Sequence, residues 1–157
     1  MIKKVVQNIN DLQKPCLIIE KGEDISQICT DLKDTLLTLK GLALSANQIG
    51  YNKKISYIRL PQKVDPKTKE ITYKEFYLIN AKIVEKANPV KVQDEQCLSF
   101  SGVPVTTKRY VFIVVTYLNE KFEEQTAMVQ DLEALVIQHE CDHINGIVLF
   151  DRKWKAR

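Results

Sequence analysis

Both histidines of this 157-residue chain fall within one pentapeptide, His139-Glu140-Cys141-Asp142-His143. Residues four apart on a helix lie nearly one above the other, so a helix here lets the two imidazoles grip a single ion. Glu140 projects roughly 100° from His139 and roughly 60° from His143 at 3.6 residues per turn, close enough to serve a water beside the ion without being a ligand. A carboxylate so placed is the general base of zinc hydrolases that carry His-Glu-x-x-His. The alternative, a surface helix with two histidines by chance, fits poorly in a chain that has no other histidine.

The rest of the chain predicts what surrounds that helix. The stripe Leu132, Leu135, Val136, His139 and His143 predicts a helix over 131–144, with Asp131 as its N-cap and Asn145-Gly146 as its stop. A second helix is predicted over 25–40 from Ile25, Ile28, Cys29, Leu32, Leu36 and Leu39, with Asp24 as N-cap and Gly41 at its end. The small-residue stretch 41–48 lacks helical periodicity and could let a ligand approach the backbone. Strands are predicted at 54–60, 76–79, 81–85 and 110–118, the last returning through a turn at 119–120 as 122–129. Residues 61–69, with two prolines, read as a polar turn. This is an α+β domain over 1–157: antiparallel strands packed around a central metal-binding helix, with an N-terminal helix.

Composition limits the partners. Twenty-three basic and 20 acidic residues leave a net charge of +3, too balanced to imply a nucleic-acid protein, and no DNA partner is expected. The basic tail at 151–157, with Arg152, Lys153, Lys155 and Arg157, could touch RNA or another anionic surface, but a solvated tail is the simpler reading. No apolar run approaches the roughly 20 residues that span a bilayer, so no membrane contact is expected. The opening Met1-Ile2-Lys3-Lys4-Val5-Val6 lacks the long apolar stretch and cleavage site of a signal peptide, so a cytoplasmic chain is expected. The four cysteines are then expected as free thiols, with Cys16 and Cys29 as small core residues.

Catalytic zinc-type sites use three protein ligands and keep one place open. With no third histidine, the missing ligand must be Cys, Asp or Glu. Glu140 is needed as base, Asp142 points away on the helical wheel, and Cys141 lies off the histidine face. Cys97 stands out because it lies between strands in Asp94-Glu95-Gln96-Cys97-Leu98-Ser99-Phe100, before a turn at Ser101-Gly102, although for Cys97 alone a buried apolar cysteine is the favoured reading.

Three segments taken together resemble peptide deformylases, in that family's order. They are Gly41-Leu42-Ala43-Leu44-Ser45-Ala46-Asn47-Gln48, Glu95-Gln96-Cys97-Leu98-Ser99 and Gln138-His139-Glu140-Cys141-Asp142-His143. The sequence departs from the family pattern at Ala43 and Gln96, both glycine there, and at Ser45, alanine there. A methyl at position 43 could crowd a peptide lying beside it. The chain also ends 14 residues after His143. It resembles compact forms without the C-terminal extension that helps many bacterial members dock on the ribosome.

The resemblance implies removal of formate from the N-terminal formyl-methionine of new polypeptides, in a bacterial or bacterium-infected cell. It implies Cys97, His139 and His143 as ligands of one divalent ion, ferrous iron natively, with nickel, cobalt or zinc able to take the site. Glu140 would move the proton; the Gln48 amide and the Leu98 N–H would hold the developing oxyanion. Gly41, Leu42, Ala43, Leu132, Leu135 and Val136 would line the substrate site. Glu95 would meet the substrate's backbone amide or order the metal loop. Asp142 would pair with a cation such as Arg109. N-Formyl-methionyl peptides and a transient ribosome contact are the partners implied. Two rivals remain at this stage: a peptidase, which lacks a downstream third ligand, and a non-catalytic metal-binding module, which would need a fourth protein ligand.

Overall fold

The structure, a computed structural model, describes residues 1–155. Its elements in chain order are α1 (Ile9–Leu12), α2 (Ser26–Leu39), β1 (Ala43–Ser45), β2 (Ile55–Val64), β3 (Ile71–Glu95), β4 (Val105–Leu118), β5 (Glu124–Gln130) and α3 (Asp131–Ile144). Short 3-10 turns follow β1 (Ala46–Ile49), precede β4 (Leu98–Phe100) and follow α3 (Leu149–Arg152). The strands form one sheet in the order β1-β2-β3-β4-β5, every neighbouring pair antiparallel. This is the α+β arrangement expected.

Two apolar clusters cover the sheet. Ile55 and Tyr57 of β2 join α2, through Ile28, Leu32 and Leu36, in one cluster. Ile58 and Leu60 of the same strand join Ile113, Val115 and the α3 residues Ala134, Ile137, Cys141 and Ile144 in the other. The unbroken run of buried residues from Ile55 to Ile58 follows from this, because both faces of β2 are covered. α3 therefore sits against the sheet with its apolar face inward, leaving the histidine face for a groove.

Several boundaries differ from expectation for clear reasons. β2 runs through Pro61, which pairs with Tyr73 at a register shift. β1 reaches only Ile58, so Pro61 lies on an open edge where a missing N–H costs little. Only the residues around Asp65 remain as a turn, held by the Asp65 carboxylate accepting from Lys67 and Thr68. β3 extends through Pro89 to Glu95 for the same reason: that half pairs with β4 alone. Phe122, expected in β5, lies in the preceding turn at φ 60°. α1 carries no periodic signal and was not expected.

The caps also differ. Asp131 is the first residue of α3, with φ 56°, and no side chain caps that helix. Ile25 stands at the N-cap of α2, while Asp24 accepts the Ser26 N–H at 3.0 Å from one residue further out. Lys40, not Gly41, takes the left-handed conformation that ends α2. Gly41 is small for another reason: a Cβ there would stand 2.8 Å from Leu98 Cδ1.

The basic tail is not simply solvated. Arg152 ion-pairs with Asp142, and the Trp154 N–H donates to the Thr106 carbonyl at 2.8 Å. Ala156 and Arg157 lie outside the described residues. All four cysteines are free; Cys16, Cys97 and Cys141 are buried and Cys29 is half-buried. Among the described residues no helix is long and apolar enough to cross a membrane.

Candidate metal centre

α3 brings His139 and His143 one turn apart, with their Nε2 atoms 3.0 Å from each other. Cys97, just past the end of β3, sets its Sγ 3.3 Å from His143 Nε2. The three candidate ligand atoms all lie within 4.8 Å of one another. Two imidazole nitrogens and a sulfur suit a divalent transition ion, and three ligands leave a place open.

The electrostatics point the same way. Burial opposes charge on His139, but hydrogen bonds to Cys97 and Glu95 outweigh it and raise its pKa to about 10. Burial and the His139 charge together hold His143 neutral.

Glu95 fixes the ring of His139, accepting from or sharing a proton with its Nδ1 at 2.9 Å and leaving Nε2 for the centre. Its remaining capacity is taken by the Arg109 guanidinium at 2.9 and 2.7 Å and by the Thr107 hydroxyl at 2.9 Å. Burial pushes the Glu95 carboxyl up, yet Arg109 and His139 hold it well below the usual carboxylate range. Of the two tasks expected for Glu95, these bonds serve the ordering of the metal loop, and its place at the groove edge leaves substrate contact open to it. Arg109 also reaches Asp142 at 2.5 Å, and Asp142 accepts two further bonds from Arg152. Asp142 is thus held by two arginines and is not among the three candidate ligands.

Glu140 has a different environment. It is buried, and its Oε2 has no hydrogen-bond partner among the described residues. Burial is the main reason its pKa rises to about 7, against the opposing charges of His139 and Arg109. Gln48 is oriented by its own backbone: its Oε1 accepts the Ser45 N–H at 2.9 Å. That turns Nε2 toward Ser99 Oγ at 3.1 Å and Cys97 Sγ at 3.6 Å. Leu98 opens the 3-10 turn after Cys97, so its N–H has no partner within that turn.

A groove of about 290 Å³ runs past these groups, walled by Leu42, Ala43, Leu98, Leu132, Leu135 and Val136 and floored by Gln48, His139 and Glu140. Gly41 and Gln96 also border it. All the predicted site residues except Asp142, Arg109 and His143 line this groove or, like Glu95, reach its edge.

Four supporting residues were not singled out from the sequence. Asn47 donates to the His143 carbonyl at 2.8 Å, and Ser99 receives Gln48. Gln138 clamps the Tyr110 backbone through both its amide atoms, at 2.9 and 2.7 Å. Arg152 secures Asp142. Asn47, Ser99 and Gln138 sit inside or beside the quoted motifs, where a polar residue between apolar neighbours is the available signal.

Comparison with known proteins gives one answer. The family model described as polypeptide deformylase matches residues 2–157. A peptide deformylase of Aquifex aeolicus (strain VF5) is 32% identical over 161 aligned positions, covering 100% of this chain and 92% of that protein. One from Elusimicrobium minutum (strain Pei191) is 37% identical over 127, covering 81% and 71%. The crystal structure of peptide deformylase from Ehrlichia chaffeensis superposes with a TM-score of 0.83 at 28% identity, covering 99% of this chain and 89% of that one. That from Synechococcus elongatus, in complex with actinonin, gives 0.82 at 28% identity, covering 98% and 79%. Motifs, fold and ligand cluster agree with these likenesses, and the chain belongs to the polypeptide deformylase family.

Proposed function

We infer that this chain is a metal-dependent hydrolase that removes the formyl group from the N-terminal formyl-methionine of newly made polypeptides and releases formate. The observation that carries this reading is the convergence of Cys97, His139 and His143 beside the unpartnered Glu140 carboxylate in one apolar-walled groove.

A divalent ion held by Cys97, His139 and His143, ferrous iron in our reading, supplies Lewis acidity that makes water a nucleophile near neutral pH. Everything else falls to the chain. Glu140, its pKa pushed up to about 7 by burial, takes a proton from the water on its carboxylate and returns it to the departing amine. The formyl C–N bond breaks, a C–O bond to the water oxygen forms, and formate and a free α-amine result. The Gln48 amide and the Leu98 N–H are donors for the charge that develops on the formyl oxygen. Leu42, Leu132, Leu135 and Val136 offer apolar surface to the methionine side chain. Glu95, Arg109 and Asp142 position His139.

The reading takes residues 1–157 as one catalytic unit acting in the cytoplasm, where formylated chains emerge, in transient contact with the ribosome. Formate release from formyl-Met-Ala-Ser by anaerobically purified, iron- or nickel-loaded protein tests it. Wild-type protein should release formate, and Glu140→Ala should retain its metal while losing turnover by about two to four orders of magnitude. A folded, metal-loaded wild type that releases none would overturn the reading.

A further inference from the structure

The two grooves that flank α3 differ in kind. Behind the helix, on the side of Gln138, Cys141, Asp142 and Asn145, lies a second depression of about 870 Å³. Its rim carries Lys54, Lys82, Lys86, Lys108, Arg152 and Lys153. The acidic groups there are Glu85, Asp151 and Asp142, and Asp142 is already shared between Arg109 and Arg152. No carboxylate lies within ion-pair distance of Lys82, Lys86, Lys108 or Lys153 among the described residues. Six cations thus rim one depression in a chain whose net charge is only +3.

Three details go beyond a solvated lysine face. Lys108 pairs directly across the ladder with Lys91, and like charges opposite one another destabilise a sheet. Lys86 and Lys108 both approach the ring of Tyr110, at 4.8 and 5.9 Å from its centroid, which keeps two ammonium groups close together. Trp154 remains 37% exposed with Lys91 Nζ 6.0 Å from its ring, and its backbone is tied to β4 through Thr106. Repelling cations interleaved with aromatic rings match what a phosphate chain with stackable bases requires. An isolated anion would engage one pair only, and a flat membrane would not use a recess.

We propose that this rear groove binds a single strand of RNA, its phosphates on Lys86, Lys108 and Lys153, with the strand leaving the groove past Lys153 so that a base meets Trp154, which stands outside the lining. It does not rest on the hydrolase reading, because the groove lies on the other side of α3 from the catalytic residues. Binding therefore leaves the substrate groove open.

Fluorescence anisotropy of a labelled oligouridylate with the metal-loaded full chain tests this, together with formate release by the same samples. Three or four phosphate contacts predict a slope of about −2 to −3 in log affinity against log salt. Lys86→Gln/Lys108→Gln should weaken binding by fivefold or more and reduce the slope in magnitude by about 1.4. Trp154→Ala should weaken binding at unchanged slope. Lys67→Gln/Lys69→Gln, in the β2–β3 turn, should match wild type. All variants should stay folded and keep wild-type formate release, and Lys86→Gln/Lys108→Gln should melt no lower than wild type because the Lys91–Lys108 repulsion is relieved. No detectable binding at low salt, equal affinity in the Lys86/Lys108 variant, or preference for phosphatidylserine vesicles over RNA would overturn the proposal.

Discussion

A buried carboxylate oxygen without a partner is costly to keep, and Glu140 keeps one. Gln48 gives the complementary case. Its oxygen is spent on the Ser45 N–H, so its orientation is set and its amide hydrogens face the metal cluster. Gln48→Ala should therefore lower kcat by about 100- to 1000-fold, the usual cost of one oxyanion donor. KM should move little, and metal content should not change. A purely structural Gln48 would instead lower the melting temperature and leave kcat of the folded fraction intact. At this scale the sequence was most legible where residue types are rare. Two histidines at helical spacing announced the ligands, and the motif around Cys97 supplied the third. Glu95 was harder, because its partners Arg109 and Thr107 stand across the ladder on β4. Which side chains face each other across strands depends on a register that the sequence does not spell out.

At the scale of elements, the bounds of α3 were readable at 131–144 because one stripe carries both its apolar wall and its histidines. β3 was readable only in part. Residues 86–95 are mostly polar and exposed, contain Pro89, and place Asn88 and Asp94 at positive φ. Nothing local marks them as strand; the ladder with β4 makes them so. The end of α3 was readable as a stop, but not its severity. Gly146 has φ 74°, and a Cβ there would stand 2.6 Å from the Gln13 carbonyl oxygen and 2.8 Å from Lys14 C and Pro15 N. These are backbone atoms, so the clash cannot be relieved by a rotamer change. Gly146→Ala should lower the melting temperature by about 5–10 °C, reflecting a forbidden conformation and a tight contact together. Gly41→Ala, by contrast, meets only the ends of Leu98 and Leu36 side chains and should cost less. Equal stability of the Gly146 and Gly41 variants would refute this account of the helix end.

At the scale of the whole molecule, two polar devices join distant segments, and each has a signature in solution. Asp31 of α2 is fully buried and accepts from the N-terminal amine, Tyr51 and Gln27. The amine bond first, then Tyr51, hold its pKa well below the usual carboxylate range. A lowered folded-state pKa stabilises the fold above the ordinary carboxylate pKa of about 4 and loses that contribution as pH falls. Asp31→Asn should therefore cost about 5 °C of melting temperature at pH 7, and the difference from wild type should shrink steadily below pH 4. A gap that stays constant to pH 2.5 would exclude ionisation as its source.

The second device is the ligand cluster itself, which ties the segment after β3 to the middle of α3 across the 41 residues of chain between Cys97 and His139. Any ion that binds only the folded chain adds RT ln(1 + [L]/Kd), about 2.7 kcal/mol when free metal is 100 times Kd. For a protein of this size that corresponds to a melting temperature about 5–10 °C higher than in chelator. Cys97→Ser should lose most of the increment, since sulfur anchors the β3 side of the link. Glu140→Ala should keep it in full, because that carboxylate sits beside the cluster without belonging to it. The pair separates holding the ion from using it: a Glu140→Ala variant that lost the increment would make Glu140 a ligand, and a Cys97→Ser variant that kept it would take Cys97 out of the site.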